Sequence, residues 1–103
     1  MDKFILDPCV EDELWAIWEF IAIDNPDAAT RVVEATRETI KMLAESPGLG
    51  WARKFRNERL QGVRSFRVSG FDKYLIFYRE IKDGIQVLHV YHGAMDIESL
   101  FSD

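Results

Sequence analysis

Arg64, Arg67 and Arg79, with His92 following them, are the side chains of this sequence whose types could act together on a substrate. Guanidinium groups hold phosphate and neutralise the charge that develops as a phosphodiester is cleaved, and a histidine can carry the proton. Such a set would suit RNA cleavage. Other chemistries find less support. Serines are few and none lies in a Gly-x-Ser-x-Gly turn. His89 and His92, three residues apart on a strand, face opposite ways, so no Ser-His-Asp arrangement is readable. No Cys/His spacing suits zinc, and no glycine loop follows a strand and opens a helix to cradle phosphate. Cys9 sits near a helix start, where a thiol ionises more easily, but no base lies near it in sequence. The expectation is a protein without metal or cofactor.

The charges are unevenly placed. Residues 1–50 carry 4 cations against 11 anions, residues 51–82 carry 9 against 3, and residues 83–103 add four acids and no Lys or Arg, for a net of −5. A protein that follows a nucleic-acid backbone draws on phosphate neutralisation and is usually basic overall. Here the long-range field repels a polyanion, which disfavours direct nucleic-acid binding as the main role. With 103 residues, 48% of them hydrophobic, the chain has room for one domain, 1–103, and apolar mass for one core. No apolar run approaches the ~20 residues of a membrane span. The opening Met-Asp-Lys-Phe-Ile-Leu-Asp-Pro is too short in apolar residues for a secretory signal, and Cys9 has no partner for a disulfide. These features lead us to expect a cytoplasmic protein.

The elements that must position these residues follow from periodicity and caps. Lys3 to Leu6 reads as a short strand. Asp7-Pro8 opens a helix with Asp7 as N-cap, and Val10, Leu14, Ile17, Trp18 and Ile21 form its apolar stripe. Glu11, Asp12 and Glu13 read as charges favoured by the helix dipole rather than as a metal site. Asn25-Pro26 caps a second helix, whose apolar stripe runs from Ala29 to Leu43, and Ser46-Pro47-Gly48 ends it. So short a link predicts an antiparallel hairpin over residues 8–24 and 26–46. A basic loop over 49–59 leads into strand-like runs at 60–68, 73–81 and 85–92, joined by turns at 69–72 and 82–84. The fold class is α+β: a two-helix antiparallel hairpin on a small, mainly antiparallel sheet, in the order β-α-α-β-β-β. A further helical turn is expected in the tail, near Leu100 and Phe101.

The middle strand has two apolar faces. Tyr74, Ile76 and Tyr78 point one way and Leu75, Phe77 and Ile81 the other. One hairpin covers one face, so the tail, a second copy or a partner is expected to cover the other. We expect a partner, with Tyr74 and Tyr78 outward.

The residue patterns also resemble a family. Leu60-Gln61-Gly62-Val63-Arg64-Ser65, Tyr74-Leu75-Ile76-Phe77-Tyr78-Arg79, and Asp83-Gly84-Ile85 with Val87 to Ala94 resemble motifs of the RelE/ParE superfamily of bacterial type II toxin–antitoxin toxins. Leu14-x-x-Ile17-Trp18 and Asn25-Pro26-x-Ala28-Ala29 resemble the helix starts of the ParE branch. The likeness spans nearly the whole chain. RelE-like members are ribosome-dependent mRNA endonucleases. Matched by position, their two strand lysines fall on Ser65 and Arg67, their strand arginine near Leu75, their later arginine on Met95 and their tyrosine near Phe101. Only Arg67 keeps a comparable charge. The resemblance therefore implies the ParE branch, whose members are described as DNA gyrase inhibitors held by a co-encoded antitoxin, and no catalytic residue.

The resemblance implies further expectations. Antitoxin and target contacts are expected at Arg64, Arg67, Tyr74, Tyr78, Arg79, His92, Met95 and Phe101. Met95 replaces the arginine of the usual His-Gly-Ala-Arg-Asp, which would weaken a target contact made there. The assembly expected is a homodimer or a toxin–antitoxin heterotetramer. Two other readings stand beside this one: a RelE-type mRNA endonuclease using Arg64, Arg67, Arg79 and His92, and a non-toxic interaction module built on the same fold.

Overall fold

The computed structural model describes residues 3–93; Met95, Phe101 and the expected tail helix lie outside the described residues. The chain runs β1 (Lys3–Leu6), α1 (Pro8–Ala22), α2 (Pro26–Glu45), β2 (Trp51–Ala52), β3 (Arg64–Val68), β4 (Phe71–Ile81) and β5 (Gly84–His92). Short 3-10 helices lie at Pro47–Leu49 and Glu58–Leu60. The five described strands form one sheet in the order β1-β5-β4-β3-β2, with β1 parallel to β5 and the remaining pairs antiparallel. The helical hairpin and three-stranded meander follow the sequence expectation. The run expected as strand from residue 60 begins instead at Arg64, because Glu58–Leu60 closes a 3-10 turn that Asn57 caps through the Arg59 N–H.

The caps behave differently at the two helix starts. The Asn25 side chain accepts from the Ala28 N–H and holds the start of α2, as its residue type leads one to expect. Asp7 occupies the cap position of α1, but its carboxylate turns away and accepts from Gln86 Nε2 at 2.7 Å. Pro8 alone presets the first turn.

Two turns set the meander. Gly70 has φ +85° in the β3–β4 turn, a backbone state that costs glycine nothing. In the β4–β5 turn Asp83, not Gly84, carries the positive φ. Gly84 is needed for another reason: a Cβ there would lie 1.8 Å from the Lys3 carbonyl of β1.

The helix-side core joins Val10, Leu14, Ile40 and Leu43 to Val68, Ile76, Tyr78, Ile85, Val87 and Val90. A second cluster, Leu60, Val63, Phe77 and Leu88 with Phe55, Leu75 and Tyr91, lies on the other face. Tyr78 is therefore not outward-facing. It is 0% exposed, directed at the helices, and its phenol donates to the Pro47 carbonyl and accepts from the Gly50 N–H, both at 2.7 Å. The second face is covered in large part by the 55–63 segment folding back over Phe77. By sequence residues 49–59 read as a basic loop and 60–68 as a strand, yet Phe55, Leu60 and Val63 supply the cover. β5 serves both clusters because a register shift opposite Phe77 and Tyr78 leaves Leu88 unpaired. Val87 and Val90 can then both face the helices although they lie three positions apart.

Candidate functional site

Among the described residues, the outer edge of β5 has a half paired with a strand and an open half. β1 runs beside it only from Gly84 to Val87, and the Asp7 N–H makes the last bond of that edge to the Val87 carbonyl. The chain then turns into α1, so the first turns of that helix stand where β1 would have continued. Cys9 and Glu13, four residues apart, share one helical face and meet the open edge. Glu13 replaces the missing strand: its Oε1 accepts from the Val90 N–H at 2.9 Å. Its other oxygen lies 2.6 Å from His89 Nδ1. Tyr91 Oη lies 2.8 Å and Cys9 Sγ 3.6 Å from the same nitrogen, and the thiol donates to the Leu88 carbonyl at 3.3 Å. The His89 and Tyr91 rings stack with centroids 4.6 Å apart.

Burial governs the protons here. It raises the Cys9 thiol above its ordinary range, helped by the negative charge of Glu13 and Asp7. It pushes the Tyr91 phenol up to about 12, again with Glu13 adding to the effect. A strong thiolate nucleophile is not what these surroundings favour. Nor do Cys9, His89 and Glu13 make a Cys-His-acid triad among themselves, because such a triad uses both ring nitrogens of the histidine. Here thiol, carboxylate and phenol all converge on Nδ1.

Beyond the cluster the open edge becomes a groove of about 490 Å³ lined by Glu13, Ala16, Ile17, Phe20, Tyr74, Val90, Tyr91 and His92. Its walls are mostly apolar. Phe20 is 75% exposed, and Trp15 on the same helix and Ile23 just past its end are 60% and 81% exposed. The expected α1 stripe is thus buried only in part. Val10 and Leu14 are fully packed, whereas Ile17, Trp18 and Ile21 are half-buried.

The arginines fall into separate places. Arg64 pairs across the sheet with Tyr78, on the helix face, and donates to the Gly50 carbonyl at 2.8 Å. Arg67 pairs with Leu75 on the other face, exposed, with Asp72 at 3.9 Å. Arg79 lies four residues further along β4, ~13 Å away, and donates to the Arg59 carbonyl. His92 packs edge-on against Tyr74 at the opposite end of the sheet from Arg64. The fold therefore does not gather Arg64, Arg67, Arg79 and His92 into one site. It does bring Arg67, Tyr74 and His92 to the same end of the sheet, where Arg67 and His92 line one shallow cleft and Tyr74 and His92 line the groove.

Sequence reasoning missed Cys9, Glu13, His89 and Tyr91 as a group. Cys9 and His89 are 80 positions apart, so the base absent from the local sequence arrives only with the fold. The i,i+4 spacing of Cys9 and Glu13 was the one local signal. Phe20 was missed because an apolar residue off the stripe carries no mark of its own.

No curated protein sequence matches this chain. Among solved structures, a chain of the chromosomal ParDE TA system from P. aeruginosa is similar with a TM-score of 0.70 at 20% identity, covering 89% of this chain and 96% of that one. A chain of the YoeB-YefM complex from Staphylococcus aureus is similar with a TM-score of 0.54 at 16% identity, covering 89% and 98%. At such identities these likenesses speak to the fold, two helices on a mostly antiparallel sheet. The family model described as "ParE toxin of type II toxin-antitoxin system, parDE" matches residues 4–97. With that match over nearly its whole length, the chain belongs to the ParE toxin family of type II toxin–antitoxin systems.

Proposed function

We propose that this toxin inhibits DNA gyrase in the cytoplasm and is held inactive by a co-encoded antitoxin whose apolar segment fills the groove between α1 and β5. The observation that carries the antitoxin half is the groove itself. Phe20 stands exposed beside Ala16, Ile17, Tyr74 and Val90, and exposed apolar surface of this kind marks an interaction site. Arg67 and Lys73, in the adjoining cleft, offer acidic antitoxin side chains a landing point that sets register and on-rate. The gyrase half rests on the family and on the scattering of the nuclease-type cations. An active site for RNA cleavage needs its cations around one phosphate.

The test is a supercoiling assay with purified toxin and gyrase, run beside a translation assay that monitors mRNA. We expect supercoiling to stop, to resume when the antitoxin is added, and mRNA to remain intact. Cleavage of mRNA on the ribosome, abolished by Arg67→Ala with supercoiling untouched, would place the chain with the RelE-type nucleases instead. Neither effect, with growth unimpaired on induction, would make it a non-toxic interaction module.

A further inference from the structure

We propose that Cys9, Glu13 and His89 form a binding site for a thiophilic divalent cation of the zinc type, which would clamp the start of α1 to the open edge of β5. This inference is independent of the gyrase reading. Three residues of metal-ligating type offer one atom each, and these atoms all lie within 4.8 Å of one another. The donors come from two elements already fixed by packing: Cys9 and Glu13 one helical turn apart on α1, His89 on β5 just past the end of β1.

The donor atoms converge closely enough to hold a cation as well as protons. A ring nitrogen has one lone pair or one hydrogen, yet His89 Nδ1 is approached by a carboxylate at 2.6 Å, a phenol at 2.8 Å and a thiol at 3.6 Å. The thiol hydrogen already serves the Leu88 carbonyl and the phenol also bonds Glu13, so protons can satisfy the cluster; a cation that displaces them would bind thiolate, carboxylate and ring nitrogen together. In a tetrahedron with zinc bond lengths the ligand atoms stand roughly 3.3–3.8 Å apart. The Cys9–His89 separation already fits that spacing, while the Glu13 oxygen, 2.6 Å from Nδ1, has to draw back by roughly 0.7 Å to share an ion with it. Tyr91 Oη, 2.8 Å from His89 Nδ1, and the Leu88 carbonyl, 3.3 Å from the thiol, are further oxygens beside the cluster. The thiolate and imidazole select zinc-like ions over magnesium or calcium, which prefer oxygen donors alone. The nearby carboxylates of Asp7 and Asp12 add to a field that attracts a cation. Glu13 keeps one oxygen on the Val90 N–H, which orients the other toward the ion, the role outer contacts play at metal sites.

The test is titration of the metal-stripped full chain with Co2+ and competition by Zn2+. We expect one equivalent to bind, with a thiolate-to-cobalt charge-transfer band and the intense visible absorption of a tetrahedral site. Zn2+ should abolish both signals and raise the melting temperature. Cys9→Ser, nearly isosteric and mild for folding, should remove the charge-transfer band and weaken Zn2+ binding more than ~100-fold, beyond the 10–100-fold typical of losing an outer contact. His89→Gln should weaken it comparably. Absence of the charge-transfer band in the wild-type chain, or Zn2+ affinity unchanged in Cys9→Ser, would overturn the proposal.

Discussion

The two halves of β5 differ in what satisfies their outer edge. From Gly84 to Val87 a neighbouring strand does so, backbone to backbone, and the residues there are buried and apolar save Gln86. From Leu88 to His92 the described neighbour is the start of a helix, whose carbonyls are engaged within it, so a carboxylate takes over as acceptor and titratable side chains gather around it. Strand pairing fixes a structure and leaves little chemistry behind. Where pairing stops, polar side chains must complete the edge, and the surface becomes open to ligands.

That contrast can be broken first at its two glycines. Gly84→Ala should cost about 3 kcal/mol, since the new methyl meets the β1 backbone, which cannot yield as a flexible side chain would. Gly93→Ala, at the open end, meets its nearest neighbours at 3.4 Å and should change stability by less than ~0.5 kcal/mol. Denaturant unfolding of both variants measures the difference; equal losses would erase the distinction between the halves.

Tyr78 and Tyr91 sharpen it next. Tyr78→Phe leaves the buried Gly50 N–H without its partner and should cost ~2 kcal/mol. Tyr91→Phe should cost less in denaturant, but it should delete one late step from the alkaline titration of tyrosine absorbance. With its folded pKa raised to about 12, the Tyr91 phenol favours the native state at neutral pH. That contribution is whole below its unfolded value near 10 and is lost as pH climbs toward 12. A tyrosine titration identical in wild type and Tyr91→Phe would contradict this.

Phe20→Ala separates binding from folding. Unfolding should shift by less than ~0.5 kcal/mol, because the ring is exposed. Antitoxin affinity should fall by more than ~1 kcal/mol if Phe20 is an anchor of the groove. An unchanged affinity would put the antitoxin elsewhere, with the Leu75 face as the next surface to probe.

The smallest effect belongs to the outer side of α1. Glu11 and Arg37 form an exposed pair at 2.8 Å, and the bond from Arg37 holds the Glu11 carboxyl below its usual range. A depressed carboxyl pKa means stability that is present above about pH 4.5 and lost as the pH falls through the lower folded value. Solvent screens this pair, so Arg37→Ala should cost only ~0.2–1 kcal/mol, and less in high salt.

Much of the frame was legible because it depends on local signals. The Asn25-Pro26 start, the 3.6-residue stripe of α2 and the apolar runs of β4 and β5 each announce their element. The faces of β4 were legible as alternation but not as inside and outside. Nothing in Tyr74-Leu75-Ile76-Phe77-Tyr78 says which side meets the helices, so alternation alone leaves Tyr78 free to be read as outward. Its partners, Gly50 and Pro47, lie some thirty residues upstream. The Asp7 carboxylate and the Cys9 cluster escaped for the same reason, since their partners on β5 are separated from them by nearly the length of the chain.

That separation has a kinetic consequence. β1 and the start of α1 meet β5 across some eighty residues, so their pairing closes the largest loop in the described fold. Local contacts in the helical hairpin and the meander can form early, whereas this closure carries the greatest entropic cost and contributes most to slowing folding. Both the groove and the cation cluster take one wall from residues 9–20 and the other from residues 89–92. During synthesis neither can exist until β5 has left the ribosome, so a nascent toxin presents no finished groove before that point.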